Sequence, residues 1–356
     1  MKVTKNENLR CFFISTEFPP GPGGIGMHSY NIINELKEVY NWDFLVLSNQ
    51  ENSNNELIKS FNRSYHSPII KLEPTPTKLK LVKKLKLIFQ LYRKYSPDVI
   101  FASGKHAVWF GGLLRFFFGK RLITFSHGSE FGTKDKREIL FNRFAFSQSD
   151  LNFSVSNYTD NFIKDNTSID FKRSVVLHNG ADSKTFRKLS VEQIEEFKKI
   201  NHLNEKKIIV TLGNVSKRKG QWVVIKSLPL ILKENPNLHY YCIGLKTDVE
   251  KLSKLARELG VEHNVHFLGK LAQEDLILWL NAADVFAMTS VHTDDGKFEG
   301  FGISVIEAAL CGTPGIVSKG NSGVSESVVD GVTGLHSKEG DTEEFSNNVN
   351  RLFSEN

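Results

Sequence analysis

Cysteine is scarce in this chain, which contains three cysteines in 356 residues. They lie far apart, at Cys11, Cys242 and Cys311, and this spacing fits neither a disulfide framework nor a zinc motif. The sequence also has no uncharged apolar run long enough to span a membrane, and residues 1–10 contain no apolar signal core. These absences predict a cytoplasmic protein without a transmembrane helix.

Charge is abundant but unevenly distributed. The net charge is +6, yet the excess of basic over acidic residues lies in the first half of the chain, and the second half is slightly acidic. An excess of one sign over half of a protein predicts that something anionic meets that half. The hydrophobic content of 40% is sufficient for two cores of ordinary domain size.

Short apolar runs alternate with longer helical patterns throughout the chain, which is typical of parallel βαβ units. The predicted strands are 11–15, 44–47, 99–102, 122–125, 151–155, 175–177, 208–212, 239–243, 265–268, 285–288 and 315–317. Helices are predicted near 218–234, 248–259, 272–283 and 302–311. The fold class is therefore α/β, with two Rossmann-like domains at residues 1–180 and 181–356 and a seam around 179–189.

Two glutamates flank a glycine-containing turn in segment 299–307, Glu-Gly-Phe-Gly-Ile-Ser-Val-Ile-Glu. The second part of this segment predicts a helix start, where the N–H groups of Gly302 and Ile303 would attract a phosphate. Glu299 precedes that anion site, and Glu307 projects from the second helical turn. Carboxylates accept paired hydrogen bonds from sugar hydroxyls, so the segment predicts a nucleotide-sugar pocket. The alternative is that both acids are surface residues favoured by the helix dipole.

Three consecutive cations occur in segment 213–220, Gly-Asn-Val-Ser-Lys-Arg-Lys-Gly. The segment follows a predicted strand, and the carboxyl ends of strands are where α/β sheets bind ligands. A solvated charge run would fit poorly there. The cations therefore predict an anionic ligand.

A glycine loop in segment 21–26, Gly-Pro-Gly-Gly-Ile-Gly, matches the dinucleotide fingerprint but in the wrong context. In a dinucleotide site the first glycine follows its strand almost directly, and the second strand ends in an acid. Here five residues intervene after the strand, and the second strand ends at Ser48 to Gln50. The loop is therefore not predicted to hold a dinucleotide.

Together these motifs resemble the family 4 glycosyltransferases over nearly the whole chain. The signatures are the Glu-x7-Glu segment with its following Glu-Ala-Ala-x-Cys-Gly-x-Pro, the basic segment, and an Asn-Gly-x-Asp-x-x-x-Phe hinge at residues 179–186. The resemblance implies the GT-B architecture, two facing Rossmann-like domains with the active site in the cleft. It also implies a retaining transfer of a hexosyl unit from a nucleotide diphosphate sugar.

The resemblance assigns roles to the second-half motifs. It implies that Glu299 contacts the transferred sugar, that Glu307 holds the ribose and that Lys219 neutralises the diphosphate. Asn214 stands where the family usually has arginine, so Arg218 is expected to supply the second cation through its planar fork. The family often has proline at position 300, where this chain has glycine.

In the first half the resemblance implies that His127, in segment 126–130, reaches the transferred sugar. The glycine loop is expected to let backbone approach the donor. A hydrolase triad is not predicted, because Ser126 and Ser129 lack a nucleophile elbow. His28 is a weaker candidate for the acceptor side, and packing at the helix start is the alternative.

The implied residues form two sets. The catalytic set is His127, Glu299, Lys219 and Arg218. The donor-binding set is Gly23, Gly24, Gly213, Asn214, Lys219, Lys270, Leu271, Phe301, Gly302, Ile303 and Glu307. Backbone around residues 269–271 is expected to recognise the base. No metal and no cofactor are expected, because segment 292–295, His-Thr-Asp-Asp, is interpreted as a loop bordering the sugar, and no Asp-x-Asp motif is present.

Segment 78–95 is rich in lysine and has no acid. Its apolar residues recur at helical spacing, with Lys80, Lys83, Lys84 and Lys86 on the other flank. The helix either packs on the sheet or lies on an anionic membrane, which would place the protein peripherally at the inner face. Segment 112–121 adds aromatic and basic residues nearby in sequence.

The expected acceptor is a lipid-linked or saccharide hydroxyl, and no nucleic acid is expected. Two other functions remain open at this level: a sugar-nucleotide epimerase on the same scaffold, and a non-catalytic nucleotide-sugar or lipid-binding homologue. An epimerase would need no acceptor and would lack the Glu-x7-Glu signature. A final helix crossing back to the first domain, usual in the family, is not found before Asn356.

Overall fold

The computed structural model describes residues 8–21, 23–50, 54–73, 78–128, 130–133, 135–169 and 171–354. The chain divides into two compact units, residues 1–179 and 180–356. Each unit is a parallel sheet with helices on both faces, so the predicted α/β class with two Rossmann-like domains is confirmed.

The first unit contains a seven-stranded sheet in the order β3-β2-β1-β4-β5-β6-β7. Its strands are β1 Arg10–Ser15, β2 Asp43–Ser48, β3 Ile69–Lys71, β4 Val99–Ser103, β5 Arg121–Ser126, β6 Leu151–Ser154 and β7 Ser174–Val176. Its helices are α1 Gly24–Tyr40, α2 Asn55–Ser64, α3 Lys78–Tyr95, α4 Lys105–Phe118, α5 Lys136–Ser147 and α6 Asn157–Asn166. The chain reverses its direction of growth between β1 and β4, which is the switch point where such sheets bind ligands.

The second unit contains a six-stranded sheet in the order β10-β9-β8-β11-β12-β13. Its strands are β8 Lys207–Leu212, β9 Leu238–Ile243, β10 Val265–Gly269, β11 Val285–Met288, β12 Gly315–Lys319 and β13 Gly334–Lys338. Its helices are α7 Val191–Ile200, α8 Gln221–Glu234, α9 Val249–Glu258, α10 Gln273–Ala282, α11 Ile303–Leu310 and α12 Thr342–Ser354. Here the switch point lies between β8 and β11.

Central strands are apolar along their length because helices cover both faces of each sheet. In β1, Phe12 and Ile14 enter one core while Cys11 and Phe13 enter the other. In β8, Ile209 and Ile208 likewise face opposite cores. This pattern made the central strands readable from sequence.

The edge strands β3 and β13 were not predicted. β3 has three residues, all half-buried, and β13 reads Gly-Leu-His-Ser-Lys. Both lie at a sheet edge, where one neighbour is missing and polar side chains are tolerated. Neither therefore contains a continuous apolar run.

Candidate active site

The segments that follow β8 and β11 meet because these strands are neighbours and both point the same way. The N–H of Val291 donates to the carbonyl of Arg218 at 2.8 Å, and the Thr289 hydroxyl donates to the carbonyl of Gly220 at 2.7 Å. Gly220 has φ +73°, and a Cβ there would lie 1.7 Å from the Thr289 carbonyl oxygen. Glycine is therefore required for this close contact.

Arg218, Lys219 and Glu299 form a compact group that we call the cation cluster. The Lys219 Nζ lies 2.9 Å from Glu299 Oε2, and Arg218 Nη1 donates to the same oxygen. Both Lys219 and Glu299 have side chains that are 14% exposed. Burial alone would raise the pKa of Glu299, but Lys219 and Arg218 outweigh it and lower that pKa to about 2. Glu299 is thus ionised at any physiological pH.

The Lys219 side chain lies across Gly213, the first residue after β8. A Cβ on Gly213 would meet Lys219 Cε at 3.0 Å, and Gly213 has φ +149°. Asn214, which stands where arginine is usual, is exposed, and its carbonyl accepts from Gln221 Nε2 at 3.2 Å. Arg218 is thus the second cation beside Glu299, and its role toward a diphosphate stays a prediction.

Glu307 is the other acid of the pair and is only 9% exposed. Burial raises its pKa to about 7, and the charge of Lys219 opposes part of this rise. Within the described residues no group hydrogen-bonds its carboxylate. The two glutamates thus lie in opposite electrostatic states, one paired and charged, the other buried and unpaired.

The turn between the glutamates opens α11. Gly302 has φ +92° and precedes the helix without a side-chain cap. A Cβ on Gly302 would meet the Val324 side chain at 3.0 Å. Phe301 is buried and Ile303 is half-buried, so the turn is anchored while its first N–H groups lack helical partners.

Two acids of segment 292–295 are paired with lysines. Asp294 contacts Lys217 at 2.8 Å, and Asp295 contacts Lys297 at 2.7 Å. Across the described residues no group of three His, Cys, Asp or Glu side chains is arranged to hold a metal ion.

Lys270 and Leu271 follow β10, at the sheet edge. Lys270 is exposed and Leu271 packs against the core. In the part of the chain that the structure describes, neither hydrogen-bonds or ion-pairs with the cation cluster. Their role in base recognition stays a prediction.

In the first unit, His28, Ser103, His127 and Glu130 form a buried group that we call the histidine cluster. The Ser103 hydroxyl lies 2.9 Å from His127 Nε2, and the His127 N–H donates to Glu130 Oε2 at 3.1 Å. The two imidazole rings meet edge to face, with centroids 4.9 Å apart. Burial, with His28 alongside, holds the pKa of His127 well below its usual range. Its imidazole is therefore uncharged.

This arrangement is not a hydrolase triad. Glu130 accepts from the backbone of His127, not from its ring. Ser126 donates to Asn152 Oδ1 at 2.8 Å, and Ser129 lies outside the described residues. His28 packs against Phe125 and His127, and its Nδ1 is buried without a hydrogen-bond partner among the described residues.

The glycine loop, segment 21–26, runs into α1, which begins at Gly24, so Gly24 and Gly26 lie in the first turn of the helix. Gly23 has φ +139°, and a Cβ there would lie 1.9 Å from Glu17 Oε2. Gly24 has open space on its Cβ side, whereas a Cβ on Gly26 would lie 3.1 Å from the backbone nitrogen of Phe18. Pro22 lies outside the described residues.

Three functional candidates escaped the sequence analysis: Glu17, Ser103 and Glu130. Ser103 ends β4 and Glu17 lies two residues after β1, both at the switch point, so strand order would have identified them. Glu130 carries no pattern of its own, and only its complete burial distinguishes it.

Helix α3 has two different flanks. Ile88 and Tyr92 are buried, and Leu85 and Tyr95 pack beside them. Leu81 has the same helical spacing as these residues, but it is 39% exposed.

The lysines of α3 lie mainly outside. Lys80, Lys83 and Lys86 are exposed, whereas Lys84 is half-buried and burial lowers its pKa. On α4, Phe116 and Phe117 are both 61% exposed. No helix in the described ranges has the length and apolar character needed to cross a membrane.

Two family models match consecutive parts of the chain. The model described as Glycosyltransferase Family 4 matches residues 22–185, and that described as Glycosyl transferases group 1 matches residues 192–356.

Among the curated relatives that match over most of their length are two mannosyltransferases. The chain is 25% identical over 327 residues to the GDP-mannose-dependent alpha-(1-6)-phosphatidylinositol monomannoside mannosyltransferase of Mycolicibacterium smegmatis, covering 90% of this chain and 83% of the relative. It is 26% identical over 356 residues to the GDP-mannose-dependent monoacylated alpha-(1-6)-phosphatidylinositol monomannoside mannosyltransferase of Corynebacterium glutamicum, covering 95% and 87%.

Among solved structures, the Anabaena protein Alr3699/HepE in complex with UDP and glucose superimposes with a TM-score of 0.80 at 21% identity. The match covers 97% of this chain and 90% of that chain. At this identity the likeness establishes the fold alone.

Proposed function

The chain belongs to the family 4 glycosyltransferases, as its motifs predicted, and from this premise we propose that it is a retaining hexosyltransferase. Its donor is a nucleotide diphosphate sugar and its acceptor a lipid-linked or saccharide hydroxyl. The observation that carries the proposal is the cation cluster, with Glu307 buried beside Lys219.

The two cations supply positive charge where the diphosphate leaves. In the proposed step the acceptor oxygen bonds to the anomeric carbon on the face from which phosphate departs. The bond from that carbon to the phosphate oxygen breaks, and the acceptor proton passes to the leaving phosphate. Lys219 and Arg218 stabilise the charge that develops there, which is often the largest catalytic contribution. No metal or cofactor is needed in this scheme, so activity should survive chelation by EDTA.

The glutamates divide the recognition of the donor. Glu307 accepts hydrogen bonds from the ribose diol, which relieves an unpaired buried carboxylate. Glu299 turns to the hydroxyls of the transferred sugar once a diphosphate takes its place beside the cations. The neutral His127 contributes a hydrogen bond to the same sugar, and Gly23 and Gly24 leave room for backbone to approach the donor.

The two mannosyltransferases described above are named for GDP-mannose, so GDP-mannose is the first donor to test and UDP-glucose the second. The increase in Tm that each nucleotide causes should show which one the protein binds most tightly. Transfer to a lipid-linked acceptor, with the product anomer read by NMR, tests the reaction. An inverted anomer contradicts the retaining mechanism. Isomerisation of the donor without any acceptor would instead support an epimerase.

Helix α3 and the exposed aromatic residues of α4 suit peripheral binding to an anionic membrane at its inner face. Each Lys or Arg near such a surface contributes about 1 kcal/mol. Changing Lys80, Lys83, Lys84 and Lys86 to Gln should reduce flotation with acidic vesicles and transfer to a lipid-linked acceptor, while donor hydrolysis survives. Wild-type protein that does not float, or floats regardless of salt, favours a soluble acceptor.

A further inference from the structure

Glu339 follows β13, and its carboxylate hydrogen-bonds to two loops, residues 291–299 and residues 320–324. Its Oε1 accepts from the N–H of His292 at 2.7 Å, and its Oε2 accepts from the N–H of Asn321 at 3.1 Å. Its own N–H donates to the carbonyl of Lys319 at 3.1 Å, which extends the pairing of β12 with β13. The backbone of Glu339 is thus held by the sheet, and its two carboxylate oxygens each accept a hydrogen bond from one loop.

Both loops are connected to Glu299, one along the chain and the other through a hydrogen bond. The first follows β11 and is held on its other side by the bond from Val291 N–H to the Arg218 carbonyl. The second contains Gly323, whose N–H donates to the carbonyl of Glu299 at 2.9 Å. Glu339 therefore holds one loop that precedes Glu299 in the chain and a second loop that is hydrogen-bonded to Glu299.

This contact is better suited to a carboxylate than to a carboxamide. A carboxylate can accept from two N–H groups at once, whereas a carboxamide has a single acceptor oxygen and presents N–H groups of its own. Hydrogen bonds to an ionised acceptor are about twice as strong as neutral ones.

We infer that Glu339 is a positioning residue that sets the backbone around Glu299 for transfer of the sugar. The inference rests on the proposed function. Glu339 contacts neither cation, so its loss should misplace Glu299 without removing charge from the diphosphate site. Small misplacements of this kind can cost up to about 100-fold in rate.

Glu344 provides a matched control. Its carboxylate also accepts a backbone N–H, that of Lys338, at 2.6 Å. This bond lies on the same strand end but reaches neither loop. Glu344→Ala should therefore cost stability of the same kind without affecting Glu299.

The experiment compares wild type, Glu339→Ala, Glu339→Gln and Glu344→Ala. Peptide hydrogen exchange should become about five- to tenfold faster at residues 291–299 and 320–324 in Glu339→Ala and remain unchanged there in Glu344→Ala. The kcat for transfer should fall about 10- to 100-fold, with the Kd for the bare nucleoside diphosphate within about twofold of wild type. Glu339→Gln should be intermediate, and it serves if the alanine variant does not fold.

Unchanged exchange in both loops overturns the inference whatever the enzyme transfers. A loss of nucleoside diphosphate affinity as large as the loss of kcat also overturns it, because it indicates general damage to the domain. If wild type and Glu344→Ala bind no nucleotide and transfer no sugar, the proposed function fails, and the exchange data still decide whether Glu339 holds the loops.

Discussion

The cation cluster and the histidine cluster occupy equivalent places in the two domains but differ in charge. The cation cluster follows β8 and β11, and in the histidine cluster Ser103 ends β4 while His127 follows the neighbouring β5. In the second domain, Lys219 and Arg218 hold Glu299 ionised. In the first, burial keeps His127 neutral and raises the pKa of Glu130 to about 7. Similar parallel sheets therefore carry a charged cluster in one domain and a largely uncharged one in the other.

The difference suggests that the two clusters have different roles in the proposed reaction. A diphosphate needs fixed cations, and these are retained in the second domain by an internal counter-ion. Sugar hydroxyls need donors and acceptors without net charge, which neutral histidine and serine provide. The predictions below test this contrast, from the largest expected effect to the smallest.

Lys219→Ala should give the largest loss, roughly 100-fold or more in turnover, because it removes charge stabilisation from the leaving phosphate. Steady-state kinetics with saturating donor measure the change. Lys217→Ala is the control, since Lys217 is exposed and pairs with Asp294 outside the cluster. A loss confined to donor affinity, with turnover intact, would assign Lys219 to ground-state binding only.

The contrast between clusters was only partly readable from the sequence. The apolar strands, the basic segment and Glu299 stand out because each has a local pattern. The ion pair of Arg218 with Glu299 does not, because it joins residues far apart in the chain. Such a contact depends on β8 and β11 being neighbours, which is a property of strand order.

Burial was equally hard to predict. Glu130 and Glu339 look like ordinary charged residues in the sequence, and nothing local indicates that one is fully buried and the other holds two loops. Lys84 was grouped with its neighbouring lysines, yet its position on α3 leaves it half-buried. Periodicity locates a helix face but not what covers it.

Glu307→Ala should weaken donor binding by about 1.5–3 kcal/mol, which is about 10- to 150-fold, because the ribose diol loses its charged acceptor. Calorimetry with the nucleoside diphosphate measures the effect. Glu274→Ala, an exposed acid in the first turn of α10, controls for the general influence of an acid near a helix start. Equal affinity in wild type and Glu307→Ala would remove Glu307 from the ribose site.

Glu299→Gln should have the opposite effect on the bare nucleoside diphosphate and tighten its binding, by roughly tenfold. The reason is that Glu299 forms ion pairs with both cations in the free protein, so a diphosphate must displace its carboxylate. A charged hydrogen bond contributes about 1.5–3 kcal/mol, and part of that cost disappears with the charge. The free variant should also unfold at a lower temperature, because its buried cations lose their counter-ion.

Asp294→Asn is the matched control for Glu299→Gln, because it breaks an exposed pair with Lys217 and leaves the cluster intact. It should bind the nucleoside diphosphate as wild type does. Weaker binding in Glu299→Gln would show that the carboxylate arranges the cations for the ligand rather than competing with it.

The smallest effect concerns pH and tests whether the histidine cluster is uncharged. Burial is the main cause that raises the pKa of Glu130 from its usual 4.5 to about 7, and Glu17 adds to it. A carboxyl whose folded pKa is raised stabilises the fold below its unfolded pKa, and that contribution is lost as pH rises through about 7. Relative to Glu130→Gln, wild type should therefore lose about 1 kcal/mol between pH 6 and 8, or about 2–4 °C in Tm. Glu138→Gln is the control, because hydrogen bonds from Lys105 and Thr133 lower the pKa of Glu138 and place its titration below this window. Melting curves that run parallel for wild type and Glu130→Gln would mean that Glu130 is ionised throughout, and both domains would then hold charged clusters.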